Sequence, residues 1–391
     1  MLITKLDHQG RGIGKINNKV IFVPRVLPGE DVDIVITNEK KKFAEGKLIK
    51  IIKASPNRIV PLCPYYENCG GCNLMHLSYS EQLKYKQEKI SNIITKYVAN
   101  NVEIKDIIAC DDIYNYRNKI KLHVNKYIGL YKKDSHELVK INNCMLVDNK
   151  INSIIKELNC KKLANDEITI RCSGKETLLF YKNEKNDLHH IASDNIILNN
   201  QKIKGNNYII ESLNGVQFKI SPSSFFQVNT KQTIKMYNII KQLGQIKKTD
   251  KILDLYCGTG SIGLYLSKYC KEILGIEINQ DAIKDANENI ILNNIKNAKF
   301  IVDDAKNAIK KISFQPDLLI IDPPRSGLFK GMIEDIYKFK APKIIYVSCD
   351  PLTLARDLKE LKEKYQIISV QPIDLFPNTH HIENVVLLYR K

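Results

Sequence analysis

The sequence predicts a multidomain protein in three parts. These are an N-terminal OB-like β-barrel over residues 1–54, a mixed α+β central region over 55–217, and a Rossmann-like α/β domain with a seven-stranded sheet over 218–391. Three observations carry the prediction. Residues 1–54 break into short β-like segments, HQGRGIGKI, KVIFVPRV, DVDIVITN and EGKLIKII, joined by turn chemistry such as LPGE, which is the signature of a small barrel. A loop rich in cysteine and glycine, 63–72, opens the central region after a polar linker at 54–57. From Phe218 onward apolar runs alternate with helical periods, as in a parallel sheet covered on both faces.

In the central region, YSEQLKYKQEKISNIITKYV predicts a polar helix over about 80–98, and 116–213 reads as short extended segments such as NKIKLHVN and EITIRCS. The C-terminal runs are KILDLYC, EILGIEIN, AKFIVDD, DLLIIDPP, KIIYVSC, YQIISV and NVVLLYR. The last follows its predecessor with no room for a crossover helix, so it is expected to lie antiparallel.

Composition narrows the partners. A formal charge of +17 over 391 residues points to an acidic partner, most simply nucleic acid. Only eight of the 60 basic residues are arginine, a bias that an AT-rich genome also produces. Tryptophan is absent, so base stacking falls to Phe, Tyr or His. No apolar run of about 18 residues is present and residues 1–15 lack the apolar stretch of a signal peptide, so the expected compartment is the cytoplasm, without membrane contact. Ten cysteines in that compartment suggest metal ligation or catalysis rather than disulfides.

The first chemical site is a glycine turn. Gly258, Gly260 and Gly263 in DLYCGTGSIG follow a strand-like run, and Glu277 closes the next one, where a carboxylate can accept hydrogen bonds from ribose hydroxyls. Asp254 precedes the turn, where its charge would repel a pyrophosphate and attract a sulfonium, which favours S-adenosylmethionine over a dinucleotide. Asp322-Pro323-Pro324-Arg325 ends a further strand. An aromatic after the two prolines would stack on a base whose amino group is methylated; Arg325 stands there instead, and amine methylation is disfavoured.

The second site is Cys349, at the end of IIYVSCDP. Carbon 5 of a pyrimidine is a poor nucleophile, and a thiolate adding to carbon 6 makes it an enolate able to attack a methyl group. The adduct must then lose the carbon-5 proton. Glu383, in THHIENVVLL, is the candidate base, with His380 and His381 as rivals. A third constellation, Cys63-x5-Cys69-x2-Cys72 with distant Cys144, suits zinc or an iron–sulfur cluster on spacing alone. Cys110, Cys160, Cys172, Cys257 and Cys270 lack local partners and read as small apolar residues.

With these motifs in hand, nearly the whole chain resembles the S-adenosylmethionine-dependent RNA 5-methyluridine methyltransferases, in particular the iron–sulfur, TRAM-domain branch that modifies 23S ribosomal RNA. The resemblance implies that the barrel is a TRAM domain and the C-terminal domain a class I methyltransferase. It also implies that Cys63, Cys69, Cys72 and Cys144 hold a [4Fe–4S] cluster, for which a structural or RNA-docking role is expected because methyl transfer needs no redox step. Gln227 in SFFQVN, Tyr256, Glu277 and Asp322 fall on cofactor-binding positions, Cys349 on the nucleophile and Glu383 on the base. Ser261 and Asp304 are weaker matches to cofactor contacts, and Phe225 or Phe226 would stack near the extruded base. The tRNA-modifying branch is taken to lack barrel and cluster, so both favour 23S RNA, with a monomer as the default state. A tRNA target, a cytosine-5 methyltransferase and a non-catalytic RNA-binding assembly factor are the competing readings.

Overall fold

The computed structural model describes residues 1–305, 307 and 312–391. In chain order these form β1 (Ile3–Leu6), β2 (Gly12–Ile16), β3 (Lys19–Val23), β4 (Asp31–Glu39), β5 (Phe43–Lys53), α1 (Tyr79–Tyr97), β6 (Glu103–Ile104), β7 (Lys119–Asn125), β8 (Tyr127–Tyr131) and β9 (Leu138–Lys140). Next come α2 (Asn149–Leu158), β10 (Asp166–Cys172), β11 (Thr177–Tyr181), β12 (Asn195–Leu198), β13 (Gln201–Lys204), β14 (Ile209–Leu213), β15 (Val216–Ile220) and α3 (Thr230–Gly244). The C-terminal part contains β16 (Lys251–Leu255), α4 (Ser261–Leu266), β17 (Glu272–Glu277), α5 (Gln280–Leu292), β18 (Ala298–Val302), β19 (Leu318–Ile321), α6 (Met332–Phe339), β20 (Lys343–Ser348), α7 (Pro351–Leu361), β21 (Tyr365–Ile373) and β22 (Glu383–Arg390).

The chain folds as two compact units. The first joins Met1–Lys89, Gly129–Ile141 and Phe376–His381. Its barrel has the strand order β1-β2-β3-β5-β4, and a bridge from Leu2 to Asp31 closes it. Ile3, Ile21, Val23, Val32 and Ala44, on the strands, and Val26, in the segment after β3, fill the interior. Where the chain leaves the barrel, fully buried Glu30 accepts hydrogen bonds from the amides of Leu27 and Ser55 and from the Arg58 guanidinium, at 2.6 Å from Nε and 2.8 Å from Nη2. That carboxylate fixes the exit path of the linker.

The second unit comprises Ile90–Ile128, Asn142–Leu375 and Ile382–Lys391. Within it, β13-β12-β11-β10-β7 lie side by side, and α2 presents Ile151, Ile154, Ile155 and Leu158 as its buried face. Asp148 caps α2 by accepting from the amide of Lys150. The main sheet has the order β18-β17-β16-β19-β20-β22-β21-β6. All seven runs expected from sequence are strands, and β22 is antiparallel to both β20 and β21. The count of seven needs correction: the two-residue strand β6 pairs parallel with β21 and makes an eighth. Two residues carry no periodicity, so no pattern in the chain announces β6.

Apolar clusters cover both faces of this sheet, one including Leu253, Leu255, Ile321 and Tyr346, the other Ile252, Ile320, Ile345 and Val385. The order reverses between β16 and β19, since β17 and β18 lie to one side and β20 to the other. Ligands of open α/β sheets bind at such a reversal, beyond the carboxyl ends of the strands.

Candidate functional site

The turn after β16 is shaped for a ligand. Tyr256, Gly258 and Gly260 have φ of 62°, 55° and 73°. A left-handed tyrosine is strained by roughly 1–2 kcal/mol, the kind of outlier that concentrates at binding sites. Gly260 has no substitute, because a Cβ there would lie 2.7 Å from the Phe300 ring. Gly258 is the opposite case: a Cβ would meet nothing within 4 Å, so open room lies against the backbone. Glu277, at the end of β17, accepts from the amides of Gly258 at 3.1 Å and Asn279 at 2.9 Å. Its carboxylate therefore holds the turn in shape. The Tyr237 hydroxyl sits 2.7 Å from that of Ser261, the first residue of α4.

Two carboxyl groups at the ends of neighbouring strands are shifted by their surroundings. Asp254 is fully buried, and neither oxygen has a well-formed hydrogen bond among the described residues; burial and then Asp322 push it up to about 8, the nearby amide of Gly263 opposing and Glu277 adding. Burial pushes Asp322 up to about 7. Sequence reading took Asp254 for a standing negative charge, whereas its burial favours the protonated carboxyl near neutral pH. The buried hydroxyl of Tyr256 is likewise without a partner among the described residues. Orphaned buried polar atoms and an open glycine turn fit a polar, cationic cofactor.

Gln227 lies in the loop 221–229. Asp285, on α5, accepts hydrogen bonds from Ser221 and Ser224; Asn118 donates from its amide to Val228 O at 2.9 Å and from Nδ2 to Gln227 O at 3.2 Å. The loop ends at Asn229, which caps α3. Phe226 is 4% exposed and packs on Phe218, whereas Phe225 is 69% exposed. Of the two rings, Phe225 is the one available to a substrate.

Cys349 follows β20 directly. Asp350 caps α7 by accepting from the amides of Leu352 and Thr353, both at 3.0 Å, and Pro351 opens that helix without needing an amide donor. Ser348 pairs with Asn384, and Asn384 Nδ2 donates to Ser348 O at 3.3 Å, so Glu383 enters β22 beside the cysteine. Burial and then Glu383 push the Cys349 thiol up to about 12; the Arg325 guanidinium opposes them by charge and by a hydrogen bond. Glu383, 6% exposed, is raised well above the carboxylate range by burial and by Asp322, again against Arg325.

The structure therefore brings Cys349, Glu383, Asp322 and Arg325 into one electrostatic group. Sequence reading placed three of them but missed Arg325 as the partner of the thiol. The signal was present: β19 and β20 are neighbours, so the residues after each emerge side by side. Arg325 is held from α7, where Thr353 Oγ1 donates to Arg325 O at 3.1 Å and Arg356 Nη2 to Ser326 O at 2.9 Å.

The cysteine constellation divides between the units. Cys63, Cys69 and Cys72 belong to the first, where Cys69 and Cys72 line a cavity of about 330 Å³ with Arg25, Lys132 and Lys133. Cys144 belongs to the second, its backbone held by Asn152, which accepts from the amide at 2.8 Å and donates to the carbonyl at 3.1 Å. Thiols are the right donors for zinc or iron–sulfur, yet among the described residues no three His, Cys, Asp or Glu side chains converge on a metal position. The fit to a cluster is therefore one of donor type only. Cys110, Cys172, Cys257 and Cys270 are buried as expected of small apolar residues, but Cys160 is exposed. The rival bases His380 and His381 lie in the first unit, where Asn73 Nδ2 meets His380 Nδ1 at 2.5 Å, whereas Cys349 and Glu383 belong to the second. Among the described residues no helix is long and apolar enough to cross a membrane.

Comparison with known proteins adds an independent line. Residues 181–391 match the tRNA (Uracil-5-)-methyltransferase family and residues 1–49 the TRAM domain. Uncharacterized RNA methyltransferases from Clostridium tetani and Staphylococcus aureus are 35% and 34% identical. The matches cover 99% and 100% of this chain and 95% and 97% of those proteins. Among solved structures, Pyrococcus abyssi tRNA (uracil-54, C5)-methyltransferase in complex with S-adenosyl-L-homocysteine superposes with a TM-score of 0.82 at 26% identity, covering 99% of each chain. That match includes the barrel, which overturns the expectation that tRNA-modifying relatives lack it. The barrel does not discriminate between ribosomal and transfer RNA.

Proposed function

The chain belongs to the tRNA (uracil-5-)-methyltransferase family and is an S-adenosylmethionine-dependent RNA methyltransferase with a TRAM domain; from that premise we propose that it methylates carbon 5 of a uridine in 23S ribosomal RNA through a covalent Cys349 adduct. The observation that carries the mechanism is the grouping of a thiol, a basic carboxylate and a guanidinium at the ends of β19, β20 and β22. When bound, S-adenosylmethionine supplies the electrophilic methyl group. Cys349 adds to carbon 6, with Arg325 favouring the thiolate that the buried site otherwise resists. Carbon 5, now nucleophilic, takes the methyl group. Glu383 then removes the carbon-5 proton; its burial makes the carboxylate a stronger base than an exposed one, and the charge of Arg325 keeps the ionised form accessible. Elimination of the Cys349 sulfur completes the reaction.

Gln227, Tyr256, Glu277 and Asp322 are proposed to hold the cofactor, which the open turn at Gly258 and the unpartnered Tyr256 hydroxyl support. The target uridine must leave its stack to reach Cys349, at a cost of a few kcal/mol, which suits loops and bulges. A tRNA uridine is the second reading, favoured by the full-length match to the Pyrococcus tRNA enzyme. A [4Fe–4S] cluster on Cys63, Cys69, Cys72 and Cys144 is proposed from residue type and spacing alone, and no step runs through it; iron and acid-labile sulfide analysis of anaerobically purified protein tests it.

The decisive experiment uses RNA substituted with 5-fluorouridine, whose fluorine cannot be removed as a proton. Separate incubation of 5-fluorouridine-substituted 23S fragments and tRNA with the protein and S-adenosylmethionine is expected to trap an adduct at Cys349, mapped by mass spectrometry, with the 23S fragments. An adduct with tRNA alone would transfer the reading to the second target, and none with either would refute the covalent scheme.

A further inference from the structure

On β7 the side chains of Lys119, Lys121 and His123 share one face, because alternate residues of a strand point the same way. On β10, Arg171, Thr169 and Glu167 stand directly opposite them in the antiparallel register. The intervening residues, Ile120, Leu122, Ile168 and Ile170, form the buried apolar face. One pair in this arrangement is electrostatically wrong: Lys119 faces Arg171, and like charges across neighbouring strands repel. Water cannot relieve the repulsion fully, since Arg171 is 1% exposed and Lys119 is half-buried.

The available counter-charges are engaged elsewhere. Glu167 pairs with Lys121 at 2.6 Å and stands 3.8 Å from His123. Asp285 acts on Arg171, but its oxygens accept hydrogen bonds from Ser221 and Ser224. Lys119 has no ion pair among the described residues; burial pushes it down to about 8, with Arg171, Lys121 and Arg117 adding to the shift and Glu167 opposing it. A half-buried ammonium beside three cations and one carboxylate already paired with Lys121 is a place for an anion.

The position of this cluster indicates which anion. Arg171 Nη2 donates to Ser224 O, the residue before exposed Phe225. Asn118, next to Lys119, holds the same loop through Gln227 O and Val228 O. Cationic cluster and exposed aromatic ring are thus joined through hydrogen bonds to one loop, as a phosphate contact and a base-stacking contact on one strand would require. We propose that Lys119, backed by Arg171 and flanked by Lys121, is a subsite for a phosphodiester group of the substrate RNA beside the nucleotide that meets Phe225. The inference rests on the RNA methyltransferase reading and adds where the strand is gripped.

The test compares wild type with Lys119→Gln and Lys119→Arg, using fluorescein-labelled unmodified tRNA transcript and 23S stem–loop fragments. Anisotropy titrations over a range of salt are run on the full chain with S-adenosylhomocysteine present. Lys119→Gln is expected to weaken binding about five- to tenfold near ~0.1 M salt and to make the slope of log affinity against log salt shallower by about 1. Lys119→Arg should stay within about twofold of wild type, because it keeps the charge. An unchanged melting temperature and S-adenosylhomocysteine affinity would exclude misfolding. Unaltered RNA affinity and slope in Lys119→Gln, or failure of the wild type to bind either RNA, would overturn the subsite. The two levels separate cleanly: a wild-type 5-fluorouridine adduct with an unaltered Lys119→Gln slope rejects the subsite and keeps the uridine chemistry, whereas a shallower slope without any adduct does the reverse.

Discussion

The environment of Cys349 makes a quantitative prediction about its reactivity before RNA arrives. Burial and Glu383 move the thiol from 9.0 to about 12, so below pH 9 the thiolate population is about a thousandfold smaller, a cost of about 4 kcal/mol. A more basic thiolate is also a better nucleophile, and a Brønsted coefficient of about 0.4–0.5 returns roughly 20-fold. Cys349 should therefore react with iodoacetamide about 50-fold more slowly than an ordinary thiol at pH 8, and its rate should keep rising tenfold per pH unit beyond pH 9. Peptide mapping by mass spectrometry reads this directly, with exposed Cys160 as the reference in the same molecule. Arg325→Gln removes the opposing charge and should slow alkylation further; Glu383→Gln removes the second cause of the shift and should speed it. If Cys349 alkylates as fast as Cys160, if its rate levels off below pH 9, or if Arg325→Gln leaves it unchanged, the electrostatic account of the site is wrong.

Other outcomes follow from the same geometry. Cys349→Ala should abolish methylation while S-adenosylmethionine affinity, measured calorimetrically, stays within a few-fold; retained turnover would remove the nucleophile. Glu383→Gln should accumulate a denaturant-stable protein–RNA adduct on ordinary RNA, because addition and methyl transfer survive where proton removal fails, and gel electrophoresis would detect it. Gly260→Ala should reduce S-adenosylhomocysteine affinity at least tenfold, since its Cβ would meet Phe300 at 2.7 Å in a backbone region that itself costs roughly 1–2 kcal/mol. For Asp254 the sign is that of a carboxyl raised by folding, from 3.8 to about 8: the folded state holds the extra proton, so its contribution to stability is complete below pH 4 and is lost as pH rises toward 8. Asp254→Asn should accordingly melt higher than wild type at pH 8 and converge with it near pH 4.

Much of the molecule was legible because its strongest features are local and periodic. The runs around Leu253, Ile320 and Ile345 are continuously apolar since both faces of the sheet are covered, and such runs declare themselves. The glycine turn was legible because positive φ and close approach to Phe300 leave glycine no rival at Gly260. By contrast, the first unit gathers Gly129–Ile141 and Phe376–His381 to Met1–Lys89, and no local pattern records contacts that distant. The strand β6, two residues long, failed for want of a period. Arg325 was seen as an absent aromatic rather than as a present cation, because its partner lies on the neighbouring strand and only the sheet order joins them. Lys119 read as one lysine among many until the register set it against Arg171.

Asp254, Asp322 and Glu383 share one peculiarity: each is raised mainly by desolvation and, for two of them, by another carboxyl group. A protein that needed only stability would replace such groups with apolar residues, since uncompensated buried acids are costly. Among the described residues Arg325 is a cation that acts on Glu383. Asp254 and Asp322, pushed up to about 8 and about 7, are therefore shifted toward their protonated forms, and added positive charge would shift them back toward carboxylates. S-adenosylmethionine carries a sulfonium, and S-adenosylhomocysteine does not, so only the first should draw a proton out of the site. Calorimetry in buffers of different ionisation enthalpy would then show proton release for the substrate and little for the product, and the preference for substrate over product should grow between pH 6.5 and 8.5, through the region of about 7 to about 8 where Asp322 and Asp254 titrate. Equal proton release for both ligands would mean that these carboxyls do not sense the sulfonium, and that the glycine turn alone accounts for cofactor recognition.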